Sequence, residues 1–345
     1  MTDRPHPESP EDHAVEKNDP TISRRSFVRT GAVLGGAAAG LARSARGDDN
    51  PPSGPIPQVV LGRTESKVSR LGIGCAYFQR DKVTPDDVGA TIRRALELGV
   101  NYLDTAPAYG TAEEKMGPTL RDKEVRDKVF LVTKTPEPTY EGTWKSLRHS
   151  LKMLQTDHVD LVHLHNFGDA NVWGDDKLVF GDKGAIGALR EAKKEGLVRF
   201  IGASGHLHPS RFHVAMDSGE IDVLMNAVNF VVRHNYDFEH KVWSRARHMN
   251  LGLVAMKVLG GAGKPEGGFK MDEAHYERAV RYALSIPGLA VAVVGIDGVA
   301  ELEKAAAAVS GFQPFSDEER REVDRLGLQL AASPEWKEAY GAPLT

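Results

Sequence analysis

Four residues between positions 104 and 165 have the types needed to protonate a reacting oxygen. Asp104 and Tyr109 lie in NYLDTAPAYG (101–110), where an apolar run gives way to small residues. Lys134 closes VFLVTK, and His165 closes DLVHLH. A free tyrosine titrates near about 10, too high to ionise readily at neutral pH. A neighbouring ammonium favours the phenolate and is expected to lower that pKa. Lys134 can supply the ammonium, and Asp104 can keep it charged and oriented. Tyr109 then becomes a usable general acid, and His165 can hydrogen-bond a carbonyl oxygen beside it. The set supplies neither hydride nor nucleophile, so a reduction run by these residues needs a bound cofactor. Taken singly the residues have plainer roles: Asp104 and Lys134 an ion pair at a strand end, Tyr109 a packing aromatic.

The elements that must position them alternate along the chain. A short hairpin is expected first, from Val59-Val60-Leu61 through a turn near Gly62 to Lys67-Val68-Ser69. Eight short apolar runs follow: 71–75, 102–104, 129–134, 161–165, 200–204, 223–226, 252–257 and 291–295. Runs of that kind suit parallel strands covered on both faces. Helical patterns fall between them. Thr84-Pro85-Asp86-Asp87 reads as an N-cap, a proline at the first helical position and acids in the first turn. Trp144, Leu147, Leu151 and Leu154 keep helical spacing. Ser316-Asp317-Glu318-Glu319 reads as a capping box that opens a final helix. Eight strand–helix repeats imply an α/β fold, a (β/α)8 TIM barrel with an N-terminal β-hairpin and a C-terminal helical extension. A doubly wound sheet would want a glycine fingerprint after its first strand, and GIGCAY (72–77) does not match one. In a barrel, chemistry gathers at the C-terminal ends of the strands. Asp104, Lys134 and His165 end the second, third and fourth barrel strands. Parallel neighbours lie about 4.8 Å apart, so the three can converge at one mouth with Tyr109 folded back over them. His163 shares the His165 face by strand alternation and is expected to be a satisfied histidine of the barrel interior.

Composition narrows the classes. The chain has 345 residues, 41% of them hydrophobic, enough for a sizeable core. Its formal net charge of −4 gives no broad basic surface for nucleic acid. The single cysteine, Cys75, allows no intrachain disulfide and no cysteine-rich metal cluster. No apolar run reaches the length of a membrane span. Residues 1–57 differ from the rest. A polar stretch over 1–20 reads as disordered, and SRRSFVRTGAVLGGAAAGLARSARG (23–47) follows it. Arg24 and Arg25, then Phe27, then a Gly/Ala stretch to Leu41 resemble a twin-arginine (Tat) export signal, and Ala42-Arg43-Ser44 offers a small-x-small cleavage site. Pro51, Pro52, Pro55 and Pro57 make a linker. The expectation is a leader over 1–57 and a barrel domain over 58–345. The protein would then meet the Tat machinery in transit, be periplasmic or otherwise extracytoplasmic, and keep no membrane span after processing. The alternative is a disordered tail on a cytoplasmic protein.

LDTAPAYG, LVTKT and DLVHLHNF resemble the aldo-keto reductase superfamily, in order and spacing across essentially all of 58–345. The resemblance implies that Asp104, Tyr109, Lys134 and His165 form a catalytic tetrad. It further implies NADPH- or NADH-dependent reduction of a small aldehyde or ketone, with Tyr109 as general acid. The chain departs from the family around the cofactor. Ser204 is kept, but Gly205 stands where an asparagine is usual, Asn226 where a glutamine is usual, and Asn229 where an aromatic would stack on the nicotinamide. Phe230, one residue on, points elsewhere by alternation. MKVLGGAGK (256–264) replaces a Ser-Pro-Leu loop, so Lys257, Leu259 and Gly261 are placed at the cofactor and Lys257 against its pyrophosphate. After the last strand, Gly295 aligns, and Asp297 and Glu301 take the positions that grip a 2′-phosphate. Two carboxylates there would repel that phosphate, so NADH is expected to be accepted at least as well as NADPH.

Two other functions compete: a cofactor-binding regulatory protein without turnover, and a metal-dependent hydrolase using the paired histidines 163/165 and 206/208. The complete tetrad argues against the first. The second would want its His-x-His on the first strand, so no metal site is assigned. Trp173, Phe180 and Phe269 suit an apolar substrate rim, and the C-terminal segment with Trp336 and Tyr340 is placed near the mouth.

Overall fold

The computed structural model describes residues 54–260, 271–341 and 343–344. The polar leader, the twin-arginine stretch and the first linker prolines lie outside the described residues. Strands β1 (Gln58–Val60) and β2 (Lys67–Ser69) pair antiparallel, with Gln58 opposite Ser69. Eight parallel strands then close a barrel: β3 (Leu71–Gly74), β4 (Tyr102–Asp104), β5 (Phe130–Thr135), β6 (Val159–Leu164), β7 (Val198–Gly205), β8 (Val223–Ala227), β9 (Gly252–Met256) and β10 (Leu289–Gly295). They neighbour one another in chain order, and β10 pairs with β3. This is the expected hairpin-plus-barrel architecture, with strand ends within two residues of those read from the apolar runs.

The runs are apolar throughout because each strand has two dry faces. One face packs on its helix. The other builds an interior cluster from alternate residues of successive strands, including Tyr102, Phe130, Leu161 and Val254. Tyr102 stacks on Phe130 at 5.5 Å, and Phe130 on Phe200 at 6.2 Å. Leu61 and Val68 of the hairpin join this same cluster, so the hairpin plugs the barrel opposite the mouth. Ile56 is also a core residue, and its N–H donates to Leu98 O at 2.8 Å. Packing therefore extends at least two residues ahead of Gln58.

The capping signals act as their chemistry dictates. Thr84 and Asp87 form a reciprocal box at the start of helix Pro85–Glu97, and Ser316 and Glu319 do the same for helix Asp317–Ala331. Each such cap is worth about 1 kcal/mol. The last helix, Pro334–Tyr340, buries Trp336 and Tyr340. Tyr340 meets Tyr236, and Asn235 Nδ2 donates to Gly341 O at 2.8 Å. This segment is a clasp on the chain after β8, with both aromatics in the core, and Trp336 and Tyr340 line no part of the mouth.

Candidate active site

Register explains why an acid and a lysine on adjacent strands meet. Asp104 lies opposite Val132 and Lys134 opposite His163, so Lys134 stands one pleat higher on β5 than Asp104 does on β4. Its side chain bends back, and Nζ donates to Asp104 Oδ1 at 2.7 Å and to Thr105 O at 2.8 Å. Lys134 is 1% exposed and Asp104 3%. Burial alone would discharge Lys134. Asp104 and Tyr109 more than offset it, and the ammonium's pKa is raised. At neutral pH the lysine is therefore a cation.

Tyr109 reaches this cation from the loop after β4. Its N–H donates to Ala106 O at 3.0 Å, and its carbonyl accepts from Ala112 at the start of helix Ala112–Leu120. Lys134 Nζ lies 4.8 Å from the Tyr109 ring centroid, and the His165 ring meets it edge-on at 6.0 Å. The structure corrects the direction of the Tyr109 shift. Burial raises its pKa and outweighs Lys134, whose charge and hydrogen bond act downward. The phenol is held protonated, with Lys134 limiting the cost of the phenolate that forms once the proton leaves. His165 hangs from β5 by its N–H to Thr135 O at 2.9 Å. Burial, then Lys134, His206 and Lys257, lower its pKa to about 3, so the ring is neutral and one nitrogen can donate to an oxygen. The arrangement can hand a proton to an oxygen set between Tyr109 and His165.

His163 is interior, as expected, but not satisfied: neither ring nitrogen has a hydrogen-bond partner among the described residues. Its neighbour in register is Gly202, where a Cβ would collide with His163 Nδ1 and stand 2.8 Å from Val223 O. Glycine there is what admits the imidazole. Burial and Lys134 keep the ring neutral.

The residues assigned to the cofactor divide. Ser204, next to last in β7, is fully buried, its hydroxyl donating to Leu164 O at 3.3 Å. Gly205 approaches so closely that a Cβ would stand 2.8 Å from Phe212 and 3.2 Å from Gly168 N. Asn226 does not present its amide to the mouth. Its Oδ1 accepts from Trp243 Nε1 at 2.9 Å and its Nδ2 faces Gly205 O, because it alternates onto the helix side of β8. Asn229 Oδ1 caps Val231 and Val232, and Phe230 is a core residue against Tyr282, so neither offers a stacking face. Lys257 follows β9 at the mouth. Leu259 is part-buried on the core. Gly261 and Phe269 lie outside the described residues.

Gly295 ends β10 beneath Tyr77, whose ring a Cβ would meet at 2.7 Å. Arg80 lies over that ring at 4.0 Å and bonds Asp297 Oδ2 at 2.6 Å, and Lys82 reaches the same oxygen at 3.0 Å. Glu301 accepts from Asp297 N at 3.1 Å. The repulsion expected from Asp297 and Glu301 therefore does not arise. Two cations balance two carboxylates, beside an open cleft of about 350 Å³ lined by Lys82, Thr91, Asp297 and Gly298 among others. Arg80 and Lys82 were legible only as polar residues after the first barrel strand.

Trp173 is not a rim residue. It is fully buried, and its Nε1 donates to His165 O at 2.8 Å, so it braces the tetrad histidine. Phe180 packs on Phe167 in the core. His206, read as half of a metal pair, sits part-exposed at the mouth and acts on His165. Burial, Lys257 and Lys134 lower its own pKa to about 3. Among the described residues no three His, Cys, Asp or Glu side chains are grouped to hold a metal.

The comparisons agree with this geometry. Residues 70–277 match the Aldo/keto reductase family. The chain is 29% identical over 288 residues to L-galactose dehydrogenase of Arabidopsis thaliana, covering 74% of this chain and 88% of that protein. It is 33% identical over 215 residues to methylglyoxal reductase DkgA of Escherichia coli, covering 59% and 72%. A putative aldo-keto reductase from Pseudomonas aeruginosa superposes with a TM-score of 0.62 at 27% identity, over 75% of this chain and 96% of that one. An aldo-keto reductase from Klebsiella pneumoniae in complex with NADPH shares the fold, with a TM-score of 0.63 at 22% identity over 84% and 97%. With its parallel barrel, its tetrad at the strand ends and a family match across most of the barrel, the chain belongs to the aldo/keto reductase family.

Proposed function

We propose that this protein is an NAD(P)H-dependent carbonyl reductase that turns a small aldehyde or ketone into an alcohol. The buried Lys134–Asp104 pair set against a protonated Tyr109 carries the reading. Tyr109 donates its proton to the carbonyl oxygen, Lys134 offsets the charge left on the phenol, and neutral His165 donates a hydrogen bond that orients the oxygen. Asp104 keeps Lys134 charged and aimed, and Thr105 O fixes a second of its donors. A reduced nicotinamide, when bound, supplies the hydride.

The residues present fit such a dinucleotide, though not by the usual set. Ser204 remains to hold the carboxamide, and Gly205 keeps the β7 end open. Cationic Lys257, Arg80 and Lys82 suit phosphates, and the balanced cluster at Asp297 does not oppose a 2′-phosphate. NADPH is therefore an acceptable cofactor, and NADH is accepted as well. The test is a panel of aldehydes and ketones run with each cofactor, following oxidation of the reduced nicotinamide. Carbonyl-dependent oxidation supports the reading. Tight cofactor binding with no turnover on any carbonyl overturns it.

We also propose that residues 1–57 direct export of the folded barrel by the twin-arginine route, giving a periplasmic or otherwise extracytoplasmic enzyme with its catalytic domain over 58–345. Support comes from the ordered pattern of Arg24-Arg25, Phe27, an apolar stretch and a small-residue site. A reporter that works only when exported folded, fused to residues 1–57, should be exported. Arg24→Lys with Arg25→Lys should block it, and export of that double variant would refute the route.

A further inference from the structure

Glu113 is a buried acid that the proposed reaction does not use. It is 2% exposed, in the first turn of helix Ala112–Leu120. Its Oε1 accepts from Thr133 Oγ1 at 2.6 Å, and its Oε2 meets no donor within hydrogen-bond distance among the described residues. Burial raises its pKa and outweighs the hydroxyls of Thr133 and Ser150, which act downward. A carboxyl sunk this deep is costly, and an apolar side chain would pack the helix on the barrel at lower cost. An acid in the first turn also answers the helix dipole, but the exposed Glu114 beside it already does that. What Glu113 adds is a directional bond to β5.

That bond joins the two segments that carry the proton donor and its cation. Thr133 faces away from the barrel interior because Lys134, the next residue, faces into it. On the other side, Tyr109 O accepts from Ala112 N at 3.0 Å, so the tyrosine turn and the helix start move as one. Helix Tyr140–Leu154 closes the third side, with buried Ser150 Oγ 3.4 Å from Thr133 Oγ1. One turn on from Glu113, Gly117 lies so near that helix that a Cβ would stand 2.3 Å from Met153 O. Lys115 Nζ donates to Phe78 O at 3.0 Å and Arg80 O at 2.9 Å, fixing the helix to the loop after β3. The Glu113–Thr133 bond then sets the N-terminal end of the helix against β5, where Tyr109 meets Lys134.

We propose that Glu113 is a positioning residue of the tetrad, which through Thr133 sets the distance between the Tyr109 hydroxyl and the Lys134 ammonium. It acts on the reaction through those two groups and not on the ligand directly. The kinetic half of the test rests on the reductase reading, and the spectroscopic half does not.

The full chain is compared with Glu113→Leu, Thr133→Val and Glu113→Gln. Leucine removes the acceptor and valine the donor, so the valine variant serves where the leucine variant does not fold. Glutamine keeps the acceptor oxygen. Initial rates are taken with NADPH and the carbonyl of the panel that is reduced fastest. A misplacement of about 1 Å can cost about 10²-fold in rate. The leucine and valine variants should therefore lose about tenfold or more in kcat, with KM and the NADPH dissociation constant within about threefold. Glutamine should keep most of the rate. In a Tyr109→Phe chain no proton donor is left to misplace, so Glu113→Leu should change the residual rate by less than about twofold. Isotope-labelled tyrosine gives a readout that needs no turnover. The Tyr109 ring signal in NMR, assigned by its loss in Tyr109→Phe, is set by the nearby His165 ring and Lys134 charge. It should move in the leucine and valine variants and stay in place in the glutamine variant. The proposal is overturned if a folded leucine or valine variant keeps kcat within about twofold of the original. It is equally overturned if the loss is as large in the Tyr109→Phe chain, if glutamine is as damaging as leucine, or if the Tyr109 signal stays put in all three variants. A wild-type chain that reduces no carbonyl of the panel defeats the reductase reading, while the Tyr109 signal still decides the role of Glu113.

Discussion

Replacing Lys134 with methionine separates what the lysine does for folding from what it does for the reaction. Lys134 is 1% exposed and bonds a carboxylate that is 3% exposed. Removing the ammonium leaves Asp104 without its ion-pair partner and Thr105 O without its Nζ donor. Breaking a buried ion pair from one side typically costs about 3–5 kcal/mol, because the remaining charge stays buried. At about 2–4 °C per kcal/mol for a large domain, Tm should fall by roughly 6–20 °C. Adding Asp104→Asn removes the stranded charge, and most of that loss should return. Turnover should not. The phenolate left by Tyr109 would still lack its cation, so both variants should stay below the original by about 10²-fold or more. The assay is thermal unfolding by circular dichroism, paired with initial rates at saturating NADPH. A double variant that recovers activity along with stability would refute the catalytic role of Lys134. A single variant as stable as the original would refute the energetic account of the pair.

Other outcomes follow from the same geometry. Gly202→Ala should cost about 1–3 kcal/mol by overpacking against His163, and His163→Ala in the same chain should relieve it, as read by urea midpoints. Arg80→Ala with Lys82→Ala should expose the Asp297 carboxylate and raise the ratio of the NADPH to the NADH dissociation constant about tenfold at low salt, some 1.4 kcal/mol; an unchanged ratio would place the 2′-phosphate elsewhere. His165 and His206 are both lowered from 6.5 to about 3 in the folded state. The unfolded chain therefore binds more protons between those values, and stability rises with pH across that window and is lost as acid is added. His165→Gln with His206→Gln should flatten this part of the curve of urea midpoint against pH.

The fold was legible because its signal is local. Strands covered on both faces must be apolar along their length, and the eight runs from Leu71 to Gly295 say so without reference to one another. The tetrad was legible for a related reason. Asp104, Lys134 and His165 are polar residues that end three successive apolar runs, and barrel geometry places such ends together. What escaped depends on pairings between distant parts of the chain. Asp297 reads as a bare carboxylate until β10 closes onto β3 and brings Arg80 beside it from 217 residues away. Asn226 reads as a mouth amide until alternation turns it toward Trp243. Trp173 reads as an exposed aromatic until its indole is found under the His165 carbonyl. The direction of the Tyr109 shift escaped for an energetic reason. The sequence shows that a cation is near but not how deeply the phenol is buried, and burial is the larger effect.

The central claim is that Tyr109 hands its proton to a carbonyl oxygen at this mouth. Its most direct test is Tyr109→Phe, which keeps the ring against Lys134 and His165 and removes only the hydroxyl. With a carbonyl substrate at saturating NADPH, turnover should fall by about 10²–10⁴-fold while the NADPH dissociation constant stays within about twofold. Near-normal turnover in that variant would contradict the account.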